Sequence, residues 1–162
     1  MATVREANRD CIAAEAEAPL RLLVVDDDER FRACIAALLA GDHWVEIVGE
    51  AGDGDEAIHA AAALAPDTIL LDIDMPRMDG LSAARVLARL ACKPAIVVLT
   101  GALSRDRERD ATTAGACAVL AKGDVERLQE TLARLRRERP GSLQPPPRRP
   151  AASAVISLAP GG

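Results

Sequence analysis

Aromatic side chains are nearly missing from this chain. Phe31 and Trp44 are the only two in 162 residues, and there is no tyrosine. Any interior must therefore be built from Leu, Val, Ile and Ala, and a hydrophobic fraction of 49% supplies enough of them for one ordinary domain. Paired cysteines are missing too. Cys11, Cys34, Cys92 and Cys117 lie far apart without C-x-x-C spacing, which excludes a zinc knuckle and a disulfide framework and leaves reduced thiols in a cytoplasmic protein as the expectation. Two histidines, His43 and His59, are too few for an imidazole metal site. No apolar run reaches the roughly 18 residues needed to cross a bilayer. Asp10, Glu15 and Glu17 break up any signal-peptide core. A basic excess is also lacking. The net charge of -5 argues against a chain that coats nucleic acid or an anionic membrane.

What is present is a repeat of short apolar segments, at 21–25, 45–49, 68–72, 95–99 and 118–121, whose starts lie 24, 23, 27 and 23 residues apart. The first, third and fourth are near-continuous Val, Ile and Leu, the pattern of strands buried on both faces of a parallel sheet. Helical spacing fills the gaps: Phe31, Cys34, Ile35, Leu38 and Leu39; Ala57, Ile58, Ala61 and Ala65; Ala83, Val86, Leu87 and Leu90; Val125, Leu128, Leu132 and Leu135. Gly41, Pro66, Pro94 and Pro140 mark stops. Five βα units in a row predict an α/β fold, a parallel sheet with helices on both faces. Residues 104–115 should be helical by position, yet have almost no apolar face; a solvated surface is expected there, with a covering partner as the alternative. Residues 1–20 read as a disordered leader. Residues 139–162, with six of the ten prolines, read as a disordered tail too short for an output domain.

In an open parallel sheet, ligands gather at the carboxyl ends of the strands. Here the first strand runs into Asp26-Asp27-Asp28, the third into Asp72-Ile73-Asp74, the fourth into Thr100-Gly101 and the fifth into Lys122. Four or five carboxylates that close repel one another unless a cation lies among them. A hard divalent ion with oxygen ligands meets that need, and Mg²⁺ is the natural candidate. A carboxylate beside such an ion can attack a phosphoryl group and form an aspartyl phosphate, while an ammonium and a hydroxyl stabilise the phosphoryl oxygens. Gly101 would leave room for the donor. Taken singly, each piece has a plainer reading: a helix N-cap for the acidic trio, a turn for Asp79-Gly80, a surface lysine for Lys122. All of them at the right strand ends, in order, point to a phosphoacceptor site.

These residues resemble a known family. From residue 21 to about 138 the chain is similar to the receiver domains of bacterial two-component response regulators, of the stand-alone chemotaxis-regulator kind. The resemblance rests on Leu22-Leu23-Val24-Val25-Asp26-Asp27-Asp28, on Asp72-Ile-Asp-Met-Pro-Arg-Met-Asp-Gly80, on Val97-Val98-Leu99-Thr100-Gly101 and on Ala114-Gly115-Ala116 with Leu120-Ala121-Lys122. It implies a flavodoxin-like, doubly wound sheet of five parallel strands in the order 2-1-3-4-5. It implies that Asp72 is the phosphoacceptor. Asp27 and Asp72 would bind Mg²⁺ directly, Asp26 largely through water, and Asp74 through its backbone carbonyl. Thr100 and Lys122 would contact the phosphoryl group. The family often has an aromatic residue three positions before the lysine; here Val119 stands there. Gly123 after Lys122 resembles receivers joined to helix-turn-helix output domains of the nitrate-regulator type.

The partners so implied are a sensor histidine kinase or a phosphotransfer protein on one side and an unnamed downstream protein on the other. No nucleic acid, membrane or enzymatic turnover of an external substrate is expected. The last helix or the 104–115 segment offers a surface for a homodimer formed on phosphorylation. Three other readings compete. Val119 suits a non-phosphorylated pseudo-receiver that only binds. Asp72-Ile73-Asp74 fits the Asp-x-Asp of a haloacid-dehalogenase-like phosphatase. The arginines of residues 136–149 suit a nucleic-acid contact, although no reading helix is evident.

Overall fold

The computed structural model describes residues 18–139, so the expected leader and tail fall, apart from residues 18–20 and 139, outside the described residues. Five strands, β1 (Leu20–Val25), β2 (Val45–Ala51), β3 (Thr68–Asp72), β4 (Ala95–Thr100) and β5 (Ala118–Ala121), alternate with five helices: α1 (Glu29–Leu39), α2 (Gly54–Leu64), α3 (Gly80–Leu87), α4 (Arg105–Ala114) and α5 (Val125–Glu138). All strand pairs are parallel and the order is β2-β1-β3-β4-β5. The chain winds outward from β1 in both directions, so the sheet reverses between β1 and β3, and their carboxyl ends open onto a common crevice.

Period-2 alternation sorts the strand residues. Leu23, Val25, Ile69, Leu71, Ile96 and Val98 point to one side, where α2, α3 and α4 press Ala57, Ala61, Ala83, Ala84, Leu87, Ala111 and Ala114 against them. Leu22, Val24, Leu70, Val97 and Leu99 point to the other, against Ile35, Leu39, Leu128 and Leu132 of α1 and α5. The absence of aromatics is met by a division of size. Alanine-faced helices lie close to the sheet on one side, and leucines and isoleucines fill the other. β1 opens at Leu20, 1% exposed, one residue inside the segment assigned to the leader.

Some of the sequence stripes are broader than the buried faces. Val86 and Val125 are each 43% exposed. In α3 the inward residues are Ala83, Ala84 and Leu87, which turns Val86 to the rim, and the helix ends at Leu87 before Leu90. Ala65 leaves the helix in the left-handed conformation, φ 45°, and caps α2 by donating its N–H to Ala61 O. The charged segment does form a helix. Only Ala111 and Ala114 of α4 enter the core, and Gly115 ends the helix at φ 109°, where a Cβ would lie 2.7 Å from Ala88 Cβ.

Every helix opens on an Asp or Ser whose side chain accepts a first-turn amide: Asp28, Asp53, Asp79, Ser104 and Asp124. Asp79 accepts from the Ser82 N–H at 2.8 Å and from its hydroxyl at 2.8 Å, and these bonds, the amide first, hold its carboxyl below the ordinary 3.8. A lowered folded value stabilises the fold above the unfolded pKa and loses that stabilisation as pH falls through the folded one. Asp79→Ala is expected to cost about 1 kcal/mol at neutral pH. The deficit should shrink as the pH drops below about 3.8, because the wild-type cap is being protonated there. Urea melts at pH 7 and pH 3 measure both; an equal deficit at the two values would mean that the carboxylate charge plays no part.

Candidate functional site

The acidic trio after β1 divides by task. Asp28 caps α1, its carboxylate accepting from the Arg30 amide at 2.9 Å, so the plain cap reading holds for this residue. Asp26 turns inward and is 1% exposed; its Oδ1 accepts from the Asp28 N–H at 2.9 Å. Asp27 stays exposed at the rim. Asp72, the last residue of β3, is also 1% exposed, and its Oδ1 accepts from the Asp74 N–H at 3.0 Å. Two carboxylates are thus buried at adjacent strand ends, each steadied by the amide two residues on.

Lys122 is carried to them from the edge of the sheet. β5 pairs with β4, and the Lys122 N–H donates to Thr100 O at 3.0 Å. The side chain then spans the crevice, placing Nζ 2.6 Å from Asp26 Oδ2 and 3.1 Å from Asp72 Oδ2, and 4.7 Å from the centre of the Phe31 ring. The aromatic on α1 therefore lies under the ammonium as well as against the core. Burial by itself would lower the lysine pKa, but the hydrogen bonds and charges of Asp26 and Asp72 outweigh it and hold the ammonium above its usual 10.5. Asp26 Oδ2 is itself buried, and its close neighbour is the ammonium at 2.6 Å.

Asp26, Asp27 and Asp72 each present an oxygen within 4.8 Å of the others. An octahedral ion with bonds of about 2.1 Å sets its ligands roughly 3 to 4.2 Å apart, a spread this triad can meet. Three carboxylates face one ammonium, an excess of two negative charges. The donor set fits a hard divalent cation.

Two of the expected residues take places the sequence did not specify. The Asp74 carboxylate is not among the clustered oxygens; it is 45% exposed and is held by Arg107 of α4, whose Nη1 lies 2.7 Å from Oδ1 and 2.9 Å from Oδ2. Thr100 ends β4 fully buried, its hydroxyl accepting from the Ala102 N–H at 3.2 Å and from Arg107 Nη1 at 3.0 Å. Val119 is half-buried against the core beside α4. A Cβ on Gly101 would meet nothing within 4 Å, so the space beside this glycine is open. Gly80 is the constrained one: a Cβ there would stand 2.2 Å from Asp72 O and 2.5 Å from Ile73 Cα. Sequence reasoning missed Arg107, one basic residue within a mixed charge run that carries no sign of it. It read Asp79-Gly80 as the end of the motif that starts at Asp72, with a turn as the plainer reading, and gave no sign of how closely the chain passes itself there.

Comparison with known proteins agrees with this geometry. Residues 22–133 match the response regulator receiver domain. The transcriptional regulatory protein PdtaR of Mycobacterium tuberculosis is 43% identical over 109 residues, 67% of this chain and 52% of that one. The protein-glutamate methylesterase/protein-glutamine glutaminase 5 of Anaeromyxobacter dehalogenans is 41% identical over 144 residues, 85% of this chain and 39% of that one. The chain thus spans about half the length, or less, of these curated relatives. In fold it is similar to the response regulator domain of Thermotoga maritima CheB, with a TM-score of 0.69 at 24% identity, over 75% of this chain and 99% of that one. The family match over most of the chain, the strand order 2-1-3-4-5 and the acid crevice at its switch point lead to one conclusion: this chain belongs to the response regulator receiver domain family of two-component systems.

Proposed function

We propose that this receiver accepts a phosphoryl group on Asp72 from a sensor histidine kinase, a phosphotransfer protein or a small phosphodonor, and passes its state to a partner protein. The observation that carries the reading is the cluster of Asp26, Asp27 and Asp72 oxygens within 4.8 Å, with Lys122 Nζ 3.1 Å from Asp72. A carboxylate oxygen of Asp72 attacks phosphorus. A P–O bond forms, and the bond to the donor's nitrogen or oxygen breaks with its electron pair leaving on the donor. Mg²⁺, held by Asp27 and Asp72, by Asp26 largely through water and by the Asp74 backbone carbonyl, would neutralise charge on the phosphoryl oxygens. Lys122 stays charged and pairs with the transferred group. Thr100 donates its hydroxyl to it. The chemistry expected of this domain is self-phosphorylation and hydrolysis of its own aspartyl phosphate.

No helix among the described residues is long and apolar enough to cross a membrane. Incubation with acetyl phosphate and Mg²⁺, followed by intact mass measurement, tests the reading. One added phosphoryl group is expected on the wild type, and none on Asp72→Ala or in EDTA. An adduct that survives Asp72→Ala would overturn the assignment of the acceptor. If the wild type shows no adduct and no binding of beryllofluoride, a non-phosphorylated binding module takes its place.

A further inference from the structure

The first six residues of α4, Arg105 to Asp110, are all charged, and five of them are exposed. Arg107 alone is drawn in. Its Nη1 carries two N–H bonds and is shared among three oxygens: both of Asp74, at 2.7 and 2.9 Å, and the hydroxyl of Thr100, at 3.0 Å. The Thr100 hydroxyl also accepts from the Ala102 N–H at 3.2 Å and lies 3.2 Å from Ala102 O. Both hydroxyl lone pairs are therefore engaged, and its proton has two acceptors on this side, Ala102 O at 3.2 Å and Asp74 Oδ2 at 3.4 Å. For Thr100 to donate to an anion on Asp72, its proton must leave Ala102 O and Asp74 Oδ2, and a hydroxyl oxygen that turns with it gives up the Arg107 bond.

The consequence lies in how α4 is anchored. Its C-terminal half is held by Ala111 and Ala114, both buried. Its N-terminal half has no apolar anchor; the Ser104 cap, which accepts from the Arg107 N–H at 3.3 Å, and the Arg107 side chain hold it. The same residue thus grips Thr100 with its guanidinium and closes the helix cap with its amide. Val119 supplies no aromatic ring to couple the threonine to this side of the sheet.

We infer that Arg107 is a positioning residue, a latch that holds Thr100 turned away from Asp72 in the unphosphorylated protein and that releases the first turn of α4 when Thr100 moves to the phosphoryl group. The inference rests on the phosphoryl site proposed above. It makes the residues around α4's N-terminus, not a ring at position 119, the reporter of phosphorylation state.

Hydrogen exchange of the whole chain, with and without beryllofluoride and Mg²⁺, separates the two readings. In the wild type, beryllofluoride should protect residues 72–80 and speed exchange at residues 103–109. Arg107→Ala, and Arg107→Met, which keeps the apolar stem, should show the fast exchange at 103–109 without any ligand. Both should bind beryllofluoride about threefold to tenfold more tightly, the worth of one hydrogen bond no longer broken. If ligand-free Arg107→Met exchanges like the wild type at 103–109, or if either variant binds beryllofluoride more weakly, the latch is wrong; weaker binding would make Arg107 a direct contact of the anion instead. If the wild type shows no protection at 72–80, the phosphoryl site itself fails and the latch falls with it.

Discussion

Gly80→Ala should cost about 3 kcal/mol or more, because a Cβ there would make the closest contact of any described glycine. The helix position of Gly80 needs no unusual dihedral; the cost is steric. Its Cβ would stand 2.2 Å from Asp72 O and 2.5 Å from Ile73 Cα, and both obstacles are backbone rather than the free end of a side chain. To make room, either α3 must slide from the sheet, opening the contacts of Ala83, Ala84 and Leu87, or the end of β3 must shift and carry Asp72 with it. Each route injures a packed layer or the acid crevice. Thermal or urea melts beside Asp79→Ala, with its expected loss of about 1 kcal/mol, provide the scale. A Gly80→Ala protein that loses less than its neighbour would show that the loop between β3 and α3 yields easily, and that the glycine is there for some other reason.

Asp72→Asn should move stability the other way. In metal-free buffer it is expected to raise it by about 1 to 2 kcal/mol. Asp72 is 1% exposed and so bears the cost of a desolvated charge. It is repelled by two carboxylates, Asp26 and Asp27, and attracted by one ammonium, Lys122 at 3.1 Å. Two repulsions and a desolvation cost stand against one attraction, and Lys122 keeps its nearer partner, Asp26 at 2.6 Å. Asparagine preserves the shape and can still accept the Asp74 N–H. Millimolar Mg²⁺ should then raise the melting temperature of the wild type and do so far less for Asp72→Asn, since a ligand that binds only the folded protein stabilises it in proportion to its affinity. If the variant melts below the wild type in EDTA, the crowded charge is not a source of instability and the argument for a cation loses its energetic basis.

The effect of Asp72→Asn has a local cause. The site gathers like charges that folding alone would keep apart, and the strand ends hold them there because Val25, Leu71 and Leu99 just before them are fixed in the core. The destabilisation is local and is relieved by a bound cation, which makes the crevice sensitive to what occupies it.

The sequence by itself determined a good deal of this. Near-continuous Val, Ile and Leu at 22–25, 68–71 and 95–99 required strands buried on both faces, and the roughly 24-residue rhythm left only helices to connect them in parallel. Once the sheet was parallel, the positions of Asp26, Asp72, Thr100 and Lys122 at strand ends followed from period and length. What only the tertiary structure decided is which side chains turn inward. Asp26, Asp27 and Asp28 are adjacent and chemically alike, yet one is buried, one lies at the rim and one caps a helix. Backbone direction at the end of β1 makes that division, and no local pattern encodes it. Phe31 meets Lys122, Arg107 meets Asp74 and Thr100, and Gly80 passes Asp72, all across gaps in sequence that only packing closes. Hydrophobic periodicity specifies which face of an element is buried; contacts between polar side chains at the element ends depend on how neighbouring elements are set in space, and that is a property of the assembled fold.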